Sequence, residues 1–491
     1  MNSYIMAIAV FMPIIFGALV PLLPFKSRSQ RNIYIEFTTI LTSILVIFIL
    51  LNRPEGVFTV INFTGNLSIS FRLDGLGTVF GAIVATLWPL ATLYAFEYMQ
   101  HEGNDKFFFM FYEMTFGVTL GIAMADDILT MYCFYEMLTL VTLPLIMHTC
   151  TREAILASRT YLYYSLGGAA FAFIGMIFIL VYGTTGEFVP GGVFTPAILE
   201  SKGHVLLLVY VLTFIGFSVK TAMFPLGEWL PKAGVAPTPV TALLHAVAVV
   251  KAGAFAAMRV TYYSFGAEFL RGSWAQTALL ILVIFTIVYG CSRAVKETHI
   301  KRRLAYSTMS NLSYILFGVL LMSPIGLLGA LAHMISHAVT KICAFFCAGS
   351  IMHQTDKHYV HELNGMGRKL PWVFVVFTFS ACSLMGVPGL CAFVSKWYLA
   401  NAAVLNSHPL APVGIVALLI SALLTAIYMM SIVIRAFFPG KDFDYETLNG
   451  YHDPSWQMLV PLTIFVVAMI VIGVYSRPLI HALEQLVAFV Q

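Results

Sequence analysis

Four lysines lie inside long apolar stretches of the sequence and could carry protons within a membrane. They are Lys220, Lys251, Lys341 and Lys396. A lysine at the centre of a bilayer costs about 2.5 to 3.5 kcal/mol on insertion scales, so four side chains facing lipid would cost roughly 10 to 14 kcal/mol. We therefore expect these lysines to face the protein interior. The alternative is that a lysine extends its amine to the nearer membrane surface.

Glu136 is an acidic residue in a similar setting. It lies near the middle of a predicted helix, in the segment FYEMLTL, where an unpaired carboxylate would be driven to its neutral form. A glutamate–lysine pair keeps both groups charged, and separating the partners lowers the proton affinity of the lysine, which is what a proton relay requires. The alternative is a static pair that only joins two helices. Glu113, on the preceding helix, is expected to be a packing or rim residue.

Histidines add groups that titrate near neutrality. The segment HMISHAVTK places His333, His337 and Lys341 at i, i+4 and i+8, on one stripe of a helix. This stripe is suited to passing protons between neighbours. A zinc pair has the same spacing but lacks a catalytic glutamate and a clear third ligand, and haem would need a facing histidine, for which His245 is the candidate. His245 also shares a predicted helix with Lys251.

Proline and glycine interrupt the two segments next to Lys220 and Lys396. Lys220 is followed by FPLGEWLPKAGVAPTP, and Lys396 ends the run MGVPGLCAFVSK. Such breaks are tolerated at membrane depth only where protein or a wet cavity satisfies the freed backbone groups. Two interrupted, lysine-bearing helices five segments apart are typical of an internally repeated transporter with its ion path at the breaks.

The composition indicates which elements must position these groups. Of 491 residues, 59% are apolar and 10% are charged, and the mean hydropathy is +0.87, which excludes a soluble domain. The seven cysteines never form C-x-x-C, so they indicate neither a disulfide framework nor an iron–sulfur ligand set. Apolar runs of spanning length predict fourteen helices in one membrane domain over 1–491. The predicted spans are 3–23, 33–51, 75–98, 107–125, 127–148, 158–182, 204–224, 238–262, 273–293, 301–321, 325–352, 371–400, 410–438 and 456–476.

The distribution of basic residues predicts the orientation. With the N-terminus outside, the inner connections hold 17 of the 27 lysines and arginines and the outer connections hold 6, the other four being the intramembrane lysines. Because basic loops stay on the cytoplasmic side, we expect a multi-pass protein of the cell inner membrane with both termini on the outer side. Residues 57–73 alternate apolar and polar side chains around a Thr-Gly-Asn turn at 64–66, which predicts a small outer β-hairpin.

Six segments together resemble a known family. It comprises the antiporter-like, proton-translocating membrane subunits of respiratory complex I, membrane-bound group 4 hydrogenases and Mrp sodium/proton antiporters. The resemblance covers the middle two-thirds of the chain. Its segments are FYEMLTL around Glu136, KTAMFPLGEWLP from Lys220, APTPVTALLHAVAVVKAG over 236–253, KRRLAYSTMSNLSYILFG from Lys301, HMISHAVTKICAFFCAGSI from His333 and GVPGLCAFVSKW from Gly386.

The resemblance implies an all-α polytopic membrane protein of about fourteen transmembrane helices with an inverted five-helix repeat. The first repeat would cover about 107–262 and the second about 273–438, with broken helices at the seventh and twelfth positions. The sequence departs from the family at Tyr135, where members often carry tryptophan. Matching positions imply Glu136 and Lys220 as a paired switch, Lys251 and His245 as a central bridge, His333 and His337 as further relay groups beside Lys341, and Lys396 as the terminal lysine.

We therefore expect ion translocation, of protons or of sodium, by an antiporter-like subunit of a complex I-like or group 4 hydrogenase-like redox complex. The main alternative is a cation/proton exchange subunit of an Mrp-type antiporter, and the alternative from another class is a quinone- or haem-binding redox subunit. No ligand set for iron, flavin or nicotinamide is visible, so we expect no cofactor and no metal on this chain. The expected partners are other membrane subunits, further antiporter-like subunits among them, and peripheral nickel–iron, iron–sulfur or NADH-oxidising subunits, but no nucleic acid.

Overall fold

The computed structural model describes residues 3–65, 67–440 and 443–490. This part of the chain is almost entirely helical and contains one two-stranded sheet. The helices are α1 (Tyr4–Leu19), α2 (Arg28–Asn52), α3 (Gly75–Tyr98), α4 (Asp105–Ala123), α5 (Ile128–Ile146), α6 (Arg152–Tyr182), α7 (Pro196–Ser218), α8 (Trp229–Lys232), α9 (Thr238–Ala246), α10 (Val249–Arg259), α11 (Ala267–Leu270), α12 (Trp274–Lys296), α13 (Ile300–Leu320), α14 (Pro324–Thr355), α15 (Pro371–Met385), α16 (Cys391–Val404), α17 (Ala411–Phe437), α18 (Trp456–Val474) and α19 (Arg477–Val487). The all-α polytopic fold class is confirmed.

The predicted membrane segments coincide with these helices. Within the described residues, ten helices are long and apolar enough to cross a membrane, counting Thr238–Phe265 as one, and α1 and α15 are shorter apolar helices. The two remaining predicted spans are α4 and α13, whose buried faces include polar residues such as Glu113 and Asn311. Each of the fourteen predicted segments is thus a helix or a pair of consecutive helices.

Polar residues at the helix starts explain where many helices begin. A serine, threonine or aspartate side chain at the N-cap accepts a hydrogen bond from the backbone N–H of the first turn, which satisfies a group that has no partner within the helix. Asp74 caps α3 and Asp127 caps α5 in this way, at 2.8 and 2.7 Å. The other capping residues of this kind at long helices are Ser27, Thr151, Thr195, Ser273, Ser323 and Ser455.

The connections gather on two opposite faces of the helical body. We call the first the hairpin face; it carries the predicted hairpin, formed by β1 (Phe58–Thr64) and β2 (Leu67–Phe71), although Asn66 of the predicted turn lies outside the described residues. Contacts between connections on this face include Ser3 with Glu55, Phe71 with Ala125, Asp127 with Glu187, Gly191 with Tyr262 and Arg271 with Met322.

The second face, which we call the basic face, carries the connections that begin after α1, α3, α5, α7, α12, α14 and α17. Their contacts with one another or with adjacent helix ends include Arg28 with Gln100, Arg302 with Glu153, His299 with Tyr359, Gly365 with Arg435 and Ser455 with Glu97. Alternation between the two faces along the chain is what a multi-pass membrane protein requires.

Three crossings are broken near the membrane centre. Helix α7 ends at Ser218, so Lys220 lies in a turn. The predicted span 204–224 had placed Lys220 within a helix. Helices α15 and α16 are separated at 386–390, where Gly386 adopts a φ of 95° that favours glycine. The third break, at Val247 and Ala248 between α9 and α10, carries neither proline nor glycine and was not predicted.

Side chains satisfy the backbone carbonyls that the first break exposes. The Tyr135 hydroxyl donates to the Phe217 carbonyl at 2.9 Å, and the Trp229 indole N–H donates to the Val219 carbonyl at 2.8 Å. Because an unpaired carbonyl is costly within a membrane, these two aromatic residues stabilise the broken conformation that presents Lys220.

Candidate functional site

Lys220 is fully buried against α5. Its amine donates to the carbonyl oxygen of Tyr135 and lies 3.5 Å from the centroid of the Tyr135 ring. A desolvated ammonium over an aromatic face is stabilised by the ring quadrupole. The residue before Glu136, and not Glu136 itself, is therefore the direct partner of Lys220.

Glu136 lies close enough to Lys220 for the two charges to interact, but it does not contact the Lys220 amine. Its side chain is half-buried on a side of α5 where Met137 is 37% and Leu140 is 61% exposed. Among the described residues, Glu136 forms no ion pair within 4.0 Å, and its Oε1 atom is buried without a hydrogen-bond partner. The direct Glu136–Lys220 pair expected from the sequence is thus not formed here, because adjacent residues on a helix point in different directions.

A glycine brings the helix of Lys251 against the break that carries Lys220. A Cβ atom added at Gly253 on α10 would lie 2.9 Å from the Phe217 carbonyl oxygen and 3.0 Å from the Lys220 Cβ atom. Only hydrogen fits at this position without moving backbone. The close approach connects the Lys220 region to the next lysine of the site.

Lys251 and two histidines of α14 form a continuous polar path. The Lys251 Nζ atom lies 2.9 Å from His337 Nδ1, and the rings of His337 and His333 are 6.1 Å apart between centroids. His333 Nδ1 lies 2.9 Å from the Ser395 hydroxyl on α16, one residue before Lys396. Each of these four residues, Ser395 among them, is at most 1% exposed. The fold thus brings together Lys251, His337 and His333, which the sequence places on two separate helices.

His245 and Lys341 lie beside this path. The His245 ring packs on Phe345 at 4.8 Å, and within the described part of the chain neither ring nitrogen has a hydrogen-bond partner. The Lys341 amine donates to the Leu304 carbonyl at 3.1 Å and is fully buried, so it does not extend to the membrane surface. His245 lies in the last turn of α9, directly before the unpredicted break at Val247 and Ala248.

Lys396 lies on α16 and extends its amine into the break between α15 and α16. Its amine donates to the carbonyls of Leu384 and Met385 at the end of α15 and lies 5.3 Å from the centroid of the Tyr314 ring. The same Tyr314 ring stacks on His333 at 5.1 Å. Lys396 thereby combines two functions: it satisfies carbonyls freed by the break and places its amine next to the histidines.

Two titratable groups at the faces have shifted pKa values. On the hairpin face, burial raises the pKa of Asp126 to about 6, although the Arg72 guanidinium 2.6 Å away favours the charged form. On the basic face, burial and the nearby Lys301 and Arg302 lower the pKa of His299 to about 4. Asp126 can therefore change charge in the range of ordinary cellular pH, whereas His299 stays neutral there.

Several basic residues lie elsewhere than the sequence predicted. Arg259, counted with an outer connection, is 1% exposed at the end of α10, where it is ion-paired with Asp74. Lys301 and Arg303, counted with an inner connection, lie in the first turn of α13 and are each 6% exposed. Because Asp74 directly precedes an apolar run, its position was a sequence signal for a buried carboxylate that needs a cation.

Broken helices and a buried line of lysines and histidines define the class of antiporter-like ion-translocating membrane subunits. The profile of the family described as NADH:quinone oxidoreductase/Mrp antiporter, TM matches residues 125–430. The chain belongs to this family, which confirms the resemblance seen in the sequence.

Two relatives illustrate the range of the family. The chain is 29% identical over 434 residues to NADH-quinone oxidoreductase subunit N of Desulforudis audaxviator, an alignment that covers 85% of this chain and 84% of the relative. It is 28% identical over 498 residues to an Na(+)/H(+) antiporter subunit of Alkalihalophilus pseudofirmus, covering 94% of this chain. The chain spans only 60% of the length of that antiporter protein.

Solved structures share the fold. A chain of the membrane-bound sulfane sulfur reductase, an archaeal respiratory membrane complex, superposes with a TM-score of 0.85 at 22% identity, covering 100% of both chains. A chain of the Mrp complex from Dietzia sp. gives 0.85 at 22% identity, with 98% of this chain and 52% of that one covered. A chain of respiratory complex I from Thermus thermophilus gives 0.80 at 23% identity and 99% coverage of each chain.

Proposed function

We propose that this protein translocates protons, with sodium as the alternative ion, as an antiporter-like subunit of a larger redox complex of the complex I or group 4 hydrogenase type. The contact that carries the proposal is the one between Lys251 and His337, because it joins α10 to α14 at membrane depth through two groups that exchange protons. A purely structural lysine would not need a histidine nitrogen as its partner.

The chemistry of the path follows from this arrangement. A protonated Lys251 amine donates to the Nδ1 atom of a neutral His337, and transfer leaves a neutral amine and an imidazolium. His333 is the next acceptor, and its bond to Ser395 directs the path toward Lys396. A change in the charge of Glu136 or Lys220 alters the electric field at Lys251. The proton affinities of Lys251 and the histidines after it therefore depend on whether Lys220 is protonated.

Similar surroundings of the two lysines at the breaks support the proposed repeat over 107–262 and 273–438. Lys220 lies over the ring of Tyr135 and Lys396 lies over that of Tyr314. In each proposed half the tyrosine belongs to the second helix and the lysine to the fourth crossing, which is broken. Both tyrosine hydroxyls donate to backbone carbonyls of helices in their own half.

Charge supports the proposed orientation in the cell inner membrane. The basic face carries Arg28, Arg152, Arg302 and Arg368, among others, whereas the hairpin face has few exposed basic residues. By the preference of basic loops for the cytoplasm, the basic face is cytoplasmic and both termini lie on the outer side.

An Mrp-type cation/proton exchanger is the second candidate for the parent complex. It is favoured by the alignment with an Na(+)/H(+) antiporter subunit over 94% of this chain. In either case we propose other antiporter-like membrane subunits as partners. Peripheral nickel–iron, iron–sulfur or NADH-oxidising subunits belong to the first candidate only.

The experiment that tests translocation uses the native complex in sealed vesicles with a pH-sensitive dye. We expect Glu136→Gln and Lys220→Ala to lower the translocation rate by about a hundredfold, the low end of what a positioned proton-transfer group contributes. Lys202→Ala is the matched control: Lys202 is an exposed lysine on α7, the helix that ends two residues before Lys220, and its replacement should leave the rate unchanged. Full translocation by Lys220→Ala would contradict the proposal, and the subunits that co-purify in mild detergent distinguish the two parent complexes.

A further inference from the structure

A second buried polar series lies outside the lysine–histidine path, between α12, α13 and α17. It consists of five hydroxyl groups and one thiol, all at most 1% exposed. The members are Cys291, Ser307, Ser310, Ser421, Thr425 and Tyr428. They have no role in the path proposed above.

The centre of the series connects all three helices. The hydroxyls of Ser310 and Ser421 are 3.1 Å apart, and the Cys291 Sγ atom lies 2.9 Å from Ser421 and 3.1 Å from Ser310. The same sulfur lies 3.8 Å from the Thr425 hydroxyl. A thiol and a hydroxyl can each donate and accept, so this cluster has the connectivity that proton exchange requires.

One end of the series reaches toward the basic face. The Tyr428 hydroxyl donates to Thr425 at 3.1 Å and lies 2.5 Å from the Ser307 hydroxyl. The Arg303 guanidinium donates to the Tyr428 carbonyl at 2.9 Å and to the half-buried Ser431 hydroxyl at 2.8 Å. The end at Arg303 is therefore one helical turn from the connection between α12 and α13.

The other end reaches the lysine–histidine path. The Tyr314 hydroxyl donates to the Leu418 carbonyl at 3.3 Å and also interacts with the hydroxyl of Ser421. Its ring is the one that stacks on His333 and lies beneath Lys396. At 1.5 Å per residue, the eleven steps along α13 from Arg303 to Tyr314 cover about 16 Å, roughly half of the hydrocarbon thickness.

Ordinary helix packing accounts for single hydroxyls but not for this series. A serine or threonine in a membrane helix usually donates to the carbonyl one turn earlier, as Ser313 on α13 does to Met309 at 3.1 Å. Thr425 and Ser310 also donate to carbonyls, of Ser421 and Ile287, at 2.7 Å each. The remaining four side chains instead contact hydroxyl or thiol groups of other helices; they are Cys291, Ser307, Ser421 and Tyr428.

We propose that these six residues form a branch, here called the hydroxyl branch, that passes protons between the Lys396 end of the path and the basic face. The proposal rests on the proposed translocation function. It specifies that the Lys396 end of the path exchanges protons with the water at the basic face. Because the branch contains no carboxylate, its substrate is the proton.

Proton transfer along the branch is balanced at each step. At the Lys396 end, the Tyr314 hydroxyl gives its proton to Ser421 and is reprotonated by the Lys396 ammonium. At the basic face, Ser307 or Tyr428 releases a proton to bulk water. Between these ends, each member accepts a proton on a lone pair of its oxygen or sulfur and releases its original proton to the next member, so one bond to hydrogen forms as another breaks. After passage every member is neutral again, and each hydroxyl rotates to restore its starting orientation. No oxidant or reductant is required.

The test compares variants of the complete complex in sealed vesicles. We expect Tyr428→Phe to lower proton translocation about tenfold and to raise the ratio of rates in H₂O and D₂O, since proton transfer becomes limiting. Tyr210→Phe is the matched control: its buried hydroxyl bonds to Thr261 at 3.0 Å in the other half of the protein. An unchanged rate and isotope ratio in an assembled Tyr428→Phe complex would overturn the proposal.

The thiol gives a second test that does not depend on the tyrosine variant assembling. Cys291→Ser keeps a donor and acceptor and should retain most of the rate, whereas Cys291→Ala should lose it severalfold; Ser313→Ala serves as control for a lost hydroxyl on α13. Equal rates for the serine and alanine variants would overturn the branch. If Lys220→Ala is inactive while all branch variants are active, the branch alone fails; if Lys220→Ala is also fully active, the proposed function fails.

Discussion

The Lys251 amine and the His337 ring nitrogen Nδ1 lie 2.9 Å apart, both at most 1% exposed. This contact joins a crossing that is broken at Val247 and Ala248 to the long helix α14, which carries both path histidines. No other pair of sequence-predicted site residues is in direct hydrogen-bond contact within the described part of the chain. The contact is thus the point where the path can be interrupted most specifically.

Removing either partner of this contact should stop translocation. We expect Lys251→Met and His337→Leu each to lower the rate by about a hundredfold, because each breaks the same transfer step. The double variant should be no slower than the slower single variant, since residues that act in one step are not additive. The measurement is dye-detected proton uptake by vesicles, with complex assembly followed by native electrophoresis. Additive losses would show that the two residues act independently.

Gly253 should be intolerant of even one methyl group. Gly253→Ala places a Cβ atom 2.9 Å from the Phe217 carbonyl oxygen, which forces α10 away from the break at Lys220 and costs about 1 to 3 kcal/mol. We expect a rate at least tenfold lower together with a lower melting temperature. Gly167→Ala on α6, where the added atom meets nothing within 4 Å, should change neither quantity. Equal behaviour of the two variants would contradict the close approach seen here.

Lys396 should accept replacement by a different titratable group better than replacement by alanine. We expect Lys396→Ala to slow translocation strongly and Lys396→Glu to slow it less, because a relay group must hold a proton whatever its sign. The helix break would lose the amine that bonds the Leu384 and Met385 carbonyls in both variants, so assembly should be affected equally. If the alanine variant pumps like the native protein, or the glutamate variant is the slower one, Lys396 serves only to stabilise the break.

The orientation can be read from native and introduced cysteines. Cys150 is exposed in the connection between α5 and α6, two residues before α6, whose first-turn residue Glu153 pairs with Arg302 on the basic face. It should be labelled by a membrane-impermeant maleimide from the cytoplasm. In a Cys150→Ser background, Thr64→Cys on the exposed hairpin strand β1 should be labelled from the outside. Labelling of both sites from the reverse sides would show that the distribution of basic residues misled the assignment.

The fold class and the choice of most candidate site residues follow from the sequence alone. Apolar runs of spanning length must be buried in lipid or protein, and a lysine within such a run must face protein, so the helices and their polar faces are fixed by local composition. The breaks at Lys220 and Lys396 were also visible, because several closely spaced prolines and glycines remove helix hydrogen bonds and weaken the helical conformation. The break between α9 and α10 was invisible, since Val247 and Ala248 are ordinary helix residues and only the surrounding packing sets their conformation.

Which groups actually meet was decided by the tertiary structure. The sequence predicts a pair between Glu136 and a lysine. In the structure the Lys220 amine contacts the Tyr135 carbonyl and ring, and Glu136 remains within electrostatic range of Lys220 without an ion-pair contact between the two. Likewise, Lys251 and His337 are 86 residues apart, and their contact depends on how α10 packs relative to α14. The spacing of residues along one helix determines which share a face, whereas the partner across that face depends on the rotation and approach of another helix, which no local pattern encodes.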